Sequence, residues 1–304
     1  MKAIDLFAGA GGTSLGATMA GLDVVFAANH NRIAVDTHEL NFPKAQHECQ
    51  DLHQIDWSIL PDHDWVFASP CCQGHSNAAG KNKLSKKADI SRSTAFAVVH
   101  CLDIHDSPVC IVENVPSFRE WRLFDSWCHA VRSMGYAISE NVLNAADFGV
   151  PQNRERLFMV LTKSRNPIQL EFEKVEHVPA RSFVDLTMEG HVFDDVSTRV
   201  PATQSRVANS KSVFGEIHLD AAYGSANRGR SLDLPLGTVT CVNKHSLVIG
   251  DKIRPLTVGE LAAAQSFPPD YKFPKKKTLA KQFIGNAVPP LMAKGVTEAV
   301  LRAV

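Results

Sequence analysis

Two cysteines and a glutamate are the residues of this chain best suited to covalent chemistry. Cys71 and Cys72 follow an apolar run at residues 65–69, and Glu113 ends a second apolar run at residues 109–112. A thiolate is a soft nucleophile that can add to carbon and leave again, provided that nearby dipoles or cations lower the pKa of its thiol. A carboxyl group partly withdrawn from water can serve as its acid partner. Taken singly, a buried cysteine more often only packs, and a glutamate at a strand end more often caps a helix or faces solvent.

A glycine loop and a pair of arginines add further chemistry. Gly9, Gly11 and Gly12 follow the first apolar run, where glycines let the backbone approach a ligand and a helix start offers unpaired amides. Their spacing is not GxGxxG, so alone it indicates only a nucleotide-type loop. Arg154 and Arg156 are separated by one residue. In an extended chain both side chains would share a face and could clamp a phosphate or a base carbonyl, although surface salt bridges are the default for such a pair.

Strands and helices alternate through the first half of the chain. The β-rich runs are residues 3–7, 23–28, 65–69 and 109–113, and the helical runs are residues 14–20, 33–40 and 93–102. This alternation predicts a doubly wound, mostly parallel sheet. Ligands of such sheets gather at the carboxyl ends of the strands, which is where the glycines, the cysteines and Glu113 fall. Further on, residues 120–134 predict a helix, and residues 137–143 and 156–161 predict two more strands.

The alternation is lost after about residue 163. Residues 163–250 contain scattered Pro, Gly, Ser and Asn and few long apolar stripes, which predicts a smaller, irregular domain. Thr257 and Glu260 then form a capping box that begins a helix. Residues 290–304 predict a final helix with a packing stripe. The stripe consists of Met292, Val296, Ala299 and Ala303.

Composition limits the classes of function. The 304 residues include 32 Lys and Arg and 32 Asp and Glu, and this zero net charge counts against nucleic acid as a partner. Two basic clusters soften that objection, although each is equally well read as a solvated face. They are Lys81, Lys83, Lys86, Lys87 and Arg92, and Lys272, Lys275, Lys276, Lys277 and Lys281. Seven cysteines without a CxxC pair argue against a disulfide framework or a zinc site, and no apolar run is long enough to span a bilayer.

Five motifs in a fixed order carry a resemblance that runs nearly end to end. They are DLFAGAGG at residues 5–12, SPCCQ at 69–73, ENV at 113–115, QNRER at 152–156 and GNAVPP at 285–290. In order and spacing they resemble the C5-cytosine DNA methyltransferase family. The resemblance implies a Rossmann-like, S-adenosylmethionine-dependent methyltransferase fold and a DNA (cytosine-5-)-methyltransferase that acts on double-stranded DNA. It also implies a monomer without metal, in the cytoplasm of a bacterium or a phage-infected host.

The resemblance assigns domains and catalytic roles. Residues 1–162 and 251–304 would form the catalytic, cofactor-binding domain, and residues 163–250 the target-recognition domain. Cys72 matches the nucleophile that adds to C6 of an extruded cytosine, and Glu113 matches the acid at N3 of that base. Arg154 and Arg156 match the arginines beside it.

The resemblance also assigns residues to the cofactor. The expected contacts are Phe7, Gly9, Gly11, Gly12, Asn29, Asp51, Pro70, Asn286 and Val288. Phe7 matches an aromatic residue that contacts the adenine, and Asp51 matches an acid placed to accept from the adenine amino group. Asn29 stands where the family usually has a Glu for the ribose hydroxyls, so we expect weaker cofactor binding because a charge-assisted bond is lost.

Three departures from the family pattern leave alternatives open. Besides Asn29, the chain has Cys71 in place of a second Pro and His75 in place of a Phe. A catalytically silent DNA-binding relative, or an enzyme with a modified donor, would fit these departures. A tRNA cytosine-5 methyltransferase with the same core is a further alternative. The adjacent cysteines could also form a vicinal disulfide that inactivates the enzyme.

Overall fold

The computed structural model describes residues 1–70, 94–173, 175–223 and 226–304, and the chain divides into two compact units. The first unit comprises Met1–Asn144, Glu155–Glu173 and Pro290–Val304, and the second comprises Ala145–Arg154 and Lys174–Pro289. These bounds follow packing and differ from the functional division expected from the sequence, which stays a prediction. Cys71, Cys72, His75 and the first basic cluster lie outside the described residues.

A seven-stranded sheet forms the centre of the first unit. Its strands are β1 (Lys2–Leu6), β2 (Asp23–Ala28), β3 (Gln46–Glu48), β4 (Trp65–Ala68), β5 (Val109–Asn114), β6 (Ala137–Asn144) and β7 (Glu155–Thr162). They lie in the order β3-β2-β1-β4-β5-β7-β6. All pairs among β1 to β5 are parallel. β7 is the reversed strand of this sheet, since it pairs antiparallel with both β5 and β6. β1, β4 and β5 are almost wholly buried, as expected for parallel strands covered on both faces, which confirms the predicted fold class.

Most helices of the described residues follow the predicted runs with changes in their ends, whereas those at Pro201–Phe214 and Lys277–Asn286 were not predicted. The helices are α1 (Gly12–Met19), α2 (Arg32–Asn41), α3 (Phe96–His105), α4 (Phe124–Ser133), α5 (Pro201–Phe214), α6 (Val258–Ala264), α7 (Lys277–Asn286) and α8 (Pro290–Ala303). α2 begins where the Asn31 side chain accepts hydrogen bonds from the Ile33 and Ala34 amides. In α8, Met292, Val296 and Ala299 are buried as predicted, whereas Ala303 in the last turn is exposed. None of these helices is both long and apolar enough to cross a membrane.

The helix predicted over residues 120–134 begins later than expected. A 3-10 turn at Pro116–Glu120 precedes an extended Trp121, and α4 begins only at Phe124. The break has a packing reason, because the Trp121 ring stacks on Phe118, at 5.7 Å between centroids, and lies edge-on to Phe96 at 5.8 Å.

The second unit is more regular than its sequence predicts. A four-stranded antiparallel sheet joins β8 (Asp194–Asp195), β11 (Lys252–Pro255), β10 (His245–Ile249) and β9 (Ile217–Ala221) in that order. α5 packs against β9, where Arg206 forms a two-pronged ion pair with Asp220, with an Nη2–Oδ2 distance of 2.8 Å. The expectation of an irregular segment was wrong because these strands are short and α5 is held by a buried ion pair instead of an apolar stripe.

The predicted capping box of α6 is confirmed. Thr257 Oγ1 accepts from the Glu260 amide at 3.1 Å, and the Glu260 carboxylate accepts from the Thr257 amide at 2.7 Å. Both Glu260 oxygens also accept from Arg254, each at 2.8 Å, and Glu260 lies only 6% exposed. The cap and β11 of the same sheet are therefore fixed by one carboxylate.

A glycine sets the contact between α1 and α8 in the first unit. A Cβ on Gly16 would lie 2.5 Å from both the Ala293 Cβ and the Pro290 carbonyl oxygen, and 2.7 Å from the Lys294 nitrogen. Two of these neighbours are backbone atoms, which cannot turn away as a flexible side chain would. The two helices can pack this closely only because residue 16 has no side chain.

We expect Gly16→Ala to lower the free energy of unfolding by about 1–3 kcal/mol, because the added methyl group overpacks the α1–α8 contact. Urea denaturation of the two proteins measures the change. Gly259→Ala is the matched control, since the nearest atom to its Cβ, Thr257 Oγ1, would be 4.0 Å away within a helix. That variant should keep or raise stability. Equal stability of Gly16→Ala and wild type would contradict the packing argument.

Candidate active site

The glycine loop leaves β1 in a strained conformation. Phe7 has a φ of +64°, which is uncommon for a residue with a side chain, and Gly11 has a φ of +89°. α1 then begins at Gly12 without a side-chain cap. A Cβ on Gly9 would meet nothing within 4 Å, so the loop has an open side there. Open space beside backbone amides at a helix start fits the ligand expected here, S-adenosylmethionine.

Two neighbouring strands place the other expected cofactor residues. β2 lies next to β1 in the sheet and β3 lies next to β2, and Asn29 and Asp51 follow their carboxyl ends. Asn29 Nδ2 donates to the Ala8 carbonyl at 3.0 Å, and its Oδ1 accepts from the Asn31 amide at 2.9 Å. Asp51 is exposed and accepts from the His53 amide at 3.0 Å. Asn29 thus braces the glycine loop, and its amide oxygen keeps one lone pair for a ligand.

The chain leading into the cysteine motif is fixed from both sides. The Ser69 amide donates to the Leu6 carbonyl at 3.2 Å, at the end of β1. Pro70 is buried, and its carbonyl accepts from Asn114 Nδ2 at 3.1 Å, at the end of β5. The structure therefore brings Pro70 between the glycine loop and Glu113. The role of Cys72, which lies beyond the described residues, stays a prediction.

Glu113 forms an ion pair with Arg156 across two strands. The distance from Arg156 Nε to Glu113 Oε1 is 3.0 Å, and the two side chains are 14% and 13% exposed. The register explains the pairing, because Asn114 on β5 lies opposite Leu157 on β7. Since β7 is antiparallel, its first residues reach the edge where β5 ends. Glu113, the expected acid, therefore has the guanidinium group of Arg156 beside it. The sequence alone does not predict this contact, because it depends on the direction of β7.

Arg154 has different partners from Arg156. It is 1% exposed, and its guanidinium donates to three carbonyls of the second unit, those of Val239 at 2.9 Å, Gly285 at 2.9 Å and Ala287 at 3.0 Å. The expectation that both arginines share one face assumed an extended chain from Arg154 to Arg156. It was wrong because the strand begins only at Glu155. These contacts tie two loops together, and any contact of Arg154 with a base stays a prediction.

Two glutamines complete this buried polar cluster. Gln152 Oε1 accepts from the Val239 amide at 2.6 Å, and Gln152 Nε2 donates to Gln265 Oε1 at 2.9 Å. Gln265 Nε2 in turn donates to the Ile284 carbonyl at 2.6 Å. Both side chains are 0% exposed. The QNRER motif thus contributes structural hydrogen bonds to the second unit as well as Arg156 to the first.

The carboxyl-terminal motif packs tightly within the second unit. A Cβ on Gly285 would lie 2.4 Å from the Thr240 carbonyl carbon and 2.5 Å from the Cys241 nitrogen, so backbone meets backbone there. Asn286 is exposed, and its Oδ1 accepts from Cys241 Sγ at 2.8 Å. Val288 is buried. The contacts of Asn286 and Val288 with a cofactor stay predictions.

The fold and the motif positions define a class. A mostly parallel sheet with one reversed strand, a glycine loop after β1 and an acid at the end of β5 form a Rossmann-like methyltransferase fold. Solved structures support this, since 99% of the chain superposes on 99% of Spodoptera frugiperda DNMT2, with a TM-score of 0.71 and 17% identity. The Entamoeba histolytica methyltransferase EhMeth gives a TM-score of 0.71 at 17% identity over 99% of this chain and 98% of its own.

Sequence comparison is more specific. The family model of C-5 cytosine-specific DNA methylase matches residues 1–302. The chain is 31% identical to the Type II methyltransferase M.HgiDI of Herpetosiphon aurantiacus over 96% of this chain and 92% of that one. It is 32% identical to the Type II methyltransferase M1.HphI of Haemophilus parahaemolyticus over 98% and 86% of the two chains. The chain therefore belongs to the C-5 cytosine-specific DNA methylase family.

We expect Arg154→Leu to lower the free energy of unfolding by about 3 kcal/mol or more, because three buried carbonyls lose their donor. Arg154→Lys should be intermediate, since an ammonium group cannot span the positions that the guanidinium fork reaches. Urea unfolding measures both. The exposed Arg165→Leu is the control and should change stability by less than about 0.5 kcal/mol. A stable but inactive Arg154→Leu would instead indicate contact with the substrate.

Proposed function

We propose that this protein transfers a methyl group from S-adenosylmethionine to C5 of a cytosine in double-stranded DNA. Family membership over residues 1–302 supports the reaction class. The observation that carries the assignment of residues is the Glu113–Arg156 ion pair at the edge of the sheet where the glycine loop and Pro70 also lie. At that edge an acid, a cation and the start of the cysteine motif are within one unit.

The chemistry assigned to the protein is nucleophilic catalysis. The target cytosine leaves the base stack, because C6 is not accessible inside a duplex. The Cys72 thiolate forms a bond to C6 while Glu113 donates a hydrogen bond or its proton to N3, so that the electron pair of the C5–C6 double bond becomes available at C5. Loss of the C5 proton to water later restores the C5–C6 double bond, the Cys72–C6 bond breaks with its electrons returning to sulfur, and N3 gives any proton it received back to Glu113.

The first unit supplies residues that fit the cofactor. Phe7, Gly9, Gly11 and Gly12 line the open loop, and Asp51 follows the strand two places along the sheet. When bound, S-adenosylmethionine supplies the electrophilic methyl group. Asn29 acts mainly by holding Ala8 in place, which makes the loop less dependent on the ligand for its shape.

The proposal extends to the partner and the cell compartment. We infer that residues 163–250 read the sequence of the DNA and that the enzyme acts as a monomer in the cytoplasm. Relatives named Type II methyltransferases favour a role in restriction-modification. The recognised sequence depends on groove contacts that composition does not determine.

Cys72→Ser should reduce methyl transfer to background and leave S-adenosylmethionine binding intact, because a hydroxyl group is a much weaker nucleophile toward C6. Transfer of tritiated methyl groups to duplex DNA measures the first property, and calorimetry the second. Cys71→Ser is the matched control and should stay active. The reverse pattern would show that Cys71 is the nucleophile.

A DNA duplex with 5-fluorocytosine at the target position gives a direct readout of the nucleophile. An active thiol should stay bonded to C6, because fluorine replaces the C5 proton whose loss would release it. Absence of both adduct and transfer in the wild type would favour a catalytically silent DNA-binding relative. Transfer to tRNA but not to DNA would favour the tRNA enzyme instead.

A double-mutant cycle tests whether Glu113 and Arg156 act as a unit. We expect Glu113→Gln to lower kcat by about 10²–10⁴-fold, because an amide cannot pass a proton to N3. Arg156→Gln should also lower kcat, since Glu113 loses the partner that holds its carboxyl group in position. The double variant should be no slower than Glu113→Gln, because coupled residues are not additive. Single-turnover rates measure all four proteins, and additive losses would show that the two residues act independently.

A further inference from the structure

Four polar side chains, three of them buried, form a hydrogen-bonded chain behind the glycine loop. Ser14 Oγ lies 2.6 Å from Asp5 Oδ2, His38 Nε2 lies 2.8 Å from Ser14 Oγ, and His38 Nδ1 lies 2.8 Å from His47 Nε2. Asp5, Ser14 and His38 are at most 2% exposed. Asp5 lies on β1, Ser14 on α1, His38 on α2 and His47 on β3. All four elements belong to the first unit. None of them belongs to the residues assigned to catalysis or to direct cofactor contact.

The protons in this chain have a definite order when Asp5 is ionised. A carboxylate only accepts, so the Ser14 hydroxyl donates to it, and the O–O distance of 2.6 Å is typical of such a charge-assisted bond. The single Ser14 proton is then used, so His38 must donate from Nε2. His38 Nδ1 consequently accepts from His47 Nε2. Every bond in this arrangement points toward Asp5.

When Asp5 is protonated, the donors and acceptors of these hydrogen bonds no longer have to follow this order. A neutral carboxyl group is a weaker acceptor and carries a donor of its own, so the Ser14 bond weakens or reverses. Burial raises the pKa of Asp5 to about 7. Burial and, to a lesser degree, His47 lower the pKa of His38 to about 3, so that His38 stays neutral near neutral pH. Asp5 is therefore the member of the buried part of the chain that changes charge under ordinary conditions.

Other charged groups surround the chain at its outer end. Burial lowers the pKa of His47, and Glu39 and Arg32 act on it in opposite directions. The charged side chains on the network's own elements and on those packed against them are Lys2 on β1, Asp23 on β2, Arg32, Asp36 and Glu39 on α2, Glu48 on β3, and Lys294, Glu298 and Arg302 on α8. Lys294 and Glu298 pair with each other at 3.6 Å, and Arg32 pairs with Asp36 at 2.7 Å. These groups are exposed or half-exposed, so solvent screens them more than the buried members.

Asp5 and Ser14 lie on either side of the glycine loop. Residues 6–13 connect them, and this segment holds Phe7, Gly9, Gly11 and Gly12. The Ser14 hydroxyl donates to the Asp5 carboxylate, so the first turn of α1 is tied to β1 across the loop. The far end of the chain, His47, lies on the strand that precedes Asp51.

We propose that Asp5, Ser14, His38 and His47 form a positioning network for the cofactor loop, and that ionised Asp5 holds the loop in the form that binds the methyl donor. This inference rests on the proposed function, because the ligand it concerns is S-adenosylmethionine or its product. The network acts through the loop and touches no ligand. Since ionisation of Asp5 favours the binding form, affinity rises with pH.

The test is calorimetric binding of S-adenosylmethionine and S-adenosylhomocysteine between pH 6 and pH 8. If only ionised Asp5 supports the binding form, the competent fraction grows from about one tenth to about nine tenths, and the Kd falls roughly 10-fold. Both ligands should show the same change, because the effect acts through the loop and not through the sulfonium charge. Asp5→Asn should show a flat profile, and Ser14→Ala should bind at pH 8 about as weakly as wild type at pH 6.

Asp62→Asn is the matched control, since this carboxylate is exposed, and its profile should follow wild type. A pH profile that is unchanged in Asp5→Asn overturns the inference. Carboxyl ¹³C NMR of the unliganded wild type needs no variant to fold, and an Asp5 signal already ionised at pH 5 overturns it as well. Failure of wild type to bind either ligand at any pH would instead overturn the proposed function.

Discussion

The antiparallel pairing of β7 with β5 is the constraint on which the candidate site depends. In a wholly parallel sheet, residues at the start of a strand lie at the edge opposite to residues at the end of its neighbour. Because β7 is reversed, Arg156 at its start reaches the end of β5, where Glu113 lies 3.0 Å away. The parallel strands β1 and β4 end at the same edge and bring the glycine loop and Pro70. The glycine loop, Pro70, Glu113 and Arg156 are far apart in the sequence. They lie at one edge of the sheet because β1, β4 and β5 end there and β7 begins there.

The two arginines of the QNRER motif illustrate how one motif serves two needs. Arg154 is buried and donates to three backbone carbonyls. These hydrogen bonds fix loops of the second unit. Arg156 meets a carboxylate at a partly exposed position. An ion pair of that kind contributes little net stability, because desolvation offsets most of the attraction. Apolar side chains would pack here as well, so the pair agrees with the role proposed for Glu113.

Sequence patterns predicted the parallel part of the fold well because burial on both faces makes its strands continuous apolar runs. β2 was predicted with its observed bounds, and three of the four positions predicted to pack in α8 are buried, the exception being Ala303 in the last turn. Elements held by specific side-chain contacts were missed or misplaced. The late start of α4 depends on Trp121 packing on other rings, and α5 depends on the Arg206–Asp220 pair.

Local motifs named the members of the candidate site, and their roles stay predictions, whereas the contacts between these residues could not be predicted. Motifs identified Glu113, Arg156, Pro70 and the glycines, since each is written in the local sequence. The Glu113–Arg156 contact requires the direction and register of β7, and the Asp5–Ser14–His38–His47 chain requires four elements to be packed. Neither arrangement has a local sequence signal. A serine in a first helical turn and a histidine on a helix face are ordinary until their partners are known.

The residue that departs most from the family pattern also makes a contact that the usual residue cannot. Asn29 both donates, to the Ala8 carbonyl, and accepts, from the Asn31 amide. A carboxylate at this position would only accept, so it could hold a ribose hydroxyl but not the Ala8 carbonyl. The loop after β1 carries a strained Phe7, and strain of this kind persists only where surrounding bonds fix the backbone. On the proposed function, Asn29 would exchange a charged contact with the ligand for a bond that holds the loop in shape, and part of the lost affinity would be offset because less ordering would remain for the ligand to drive.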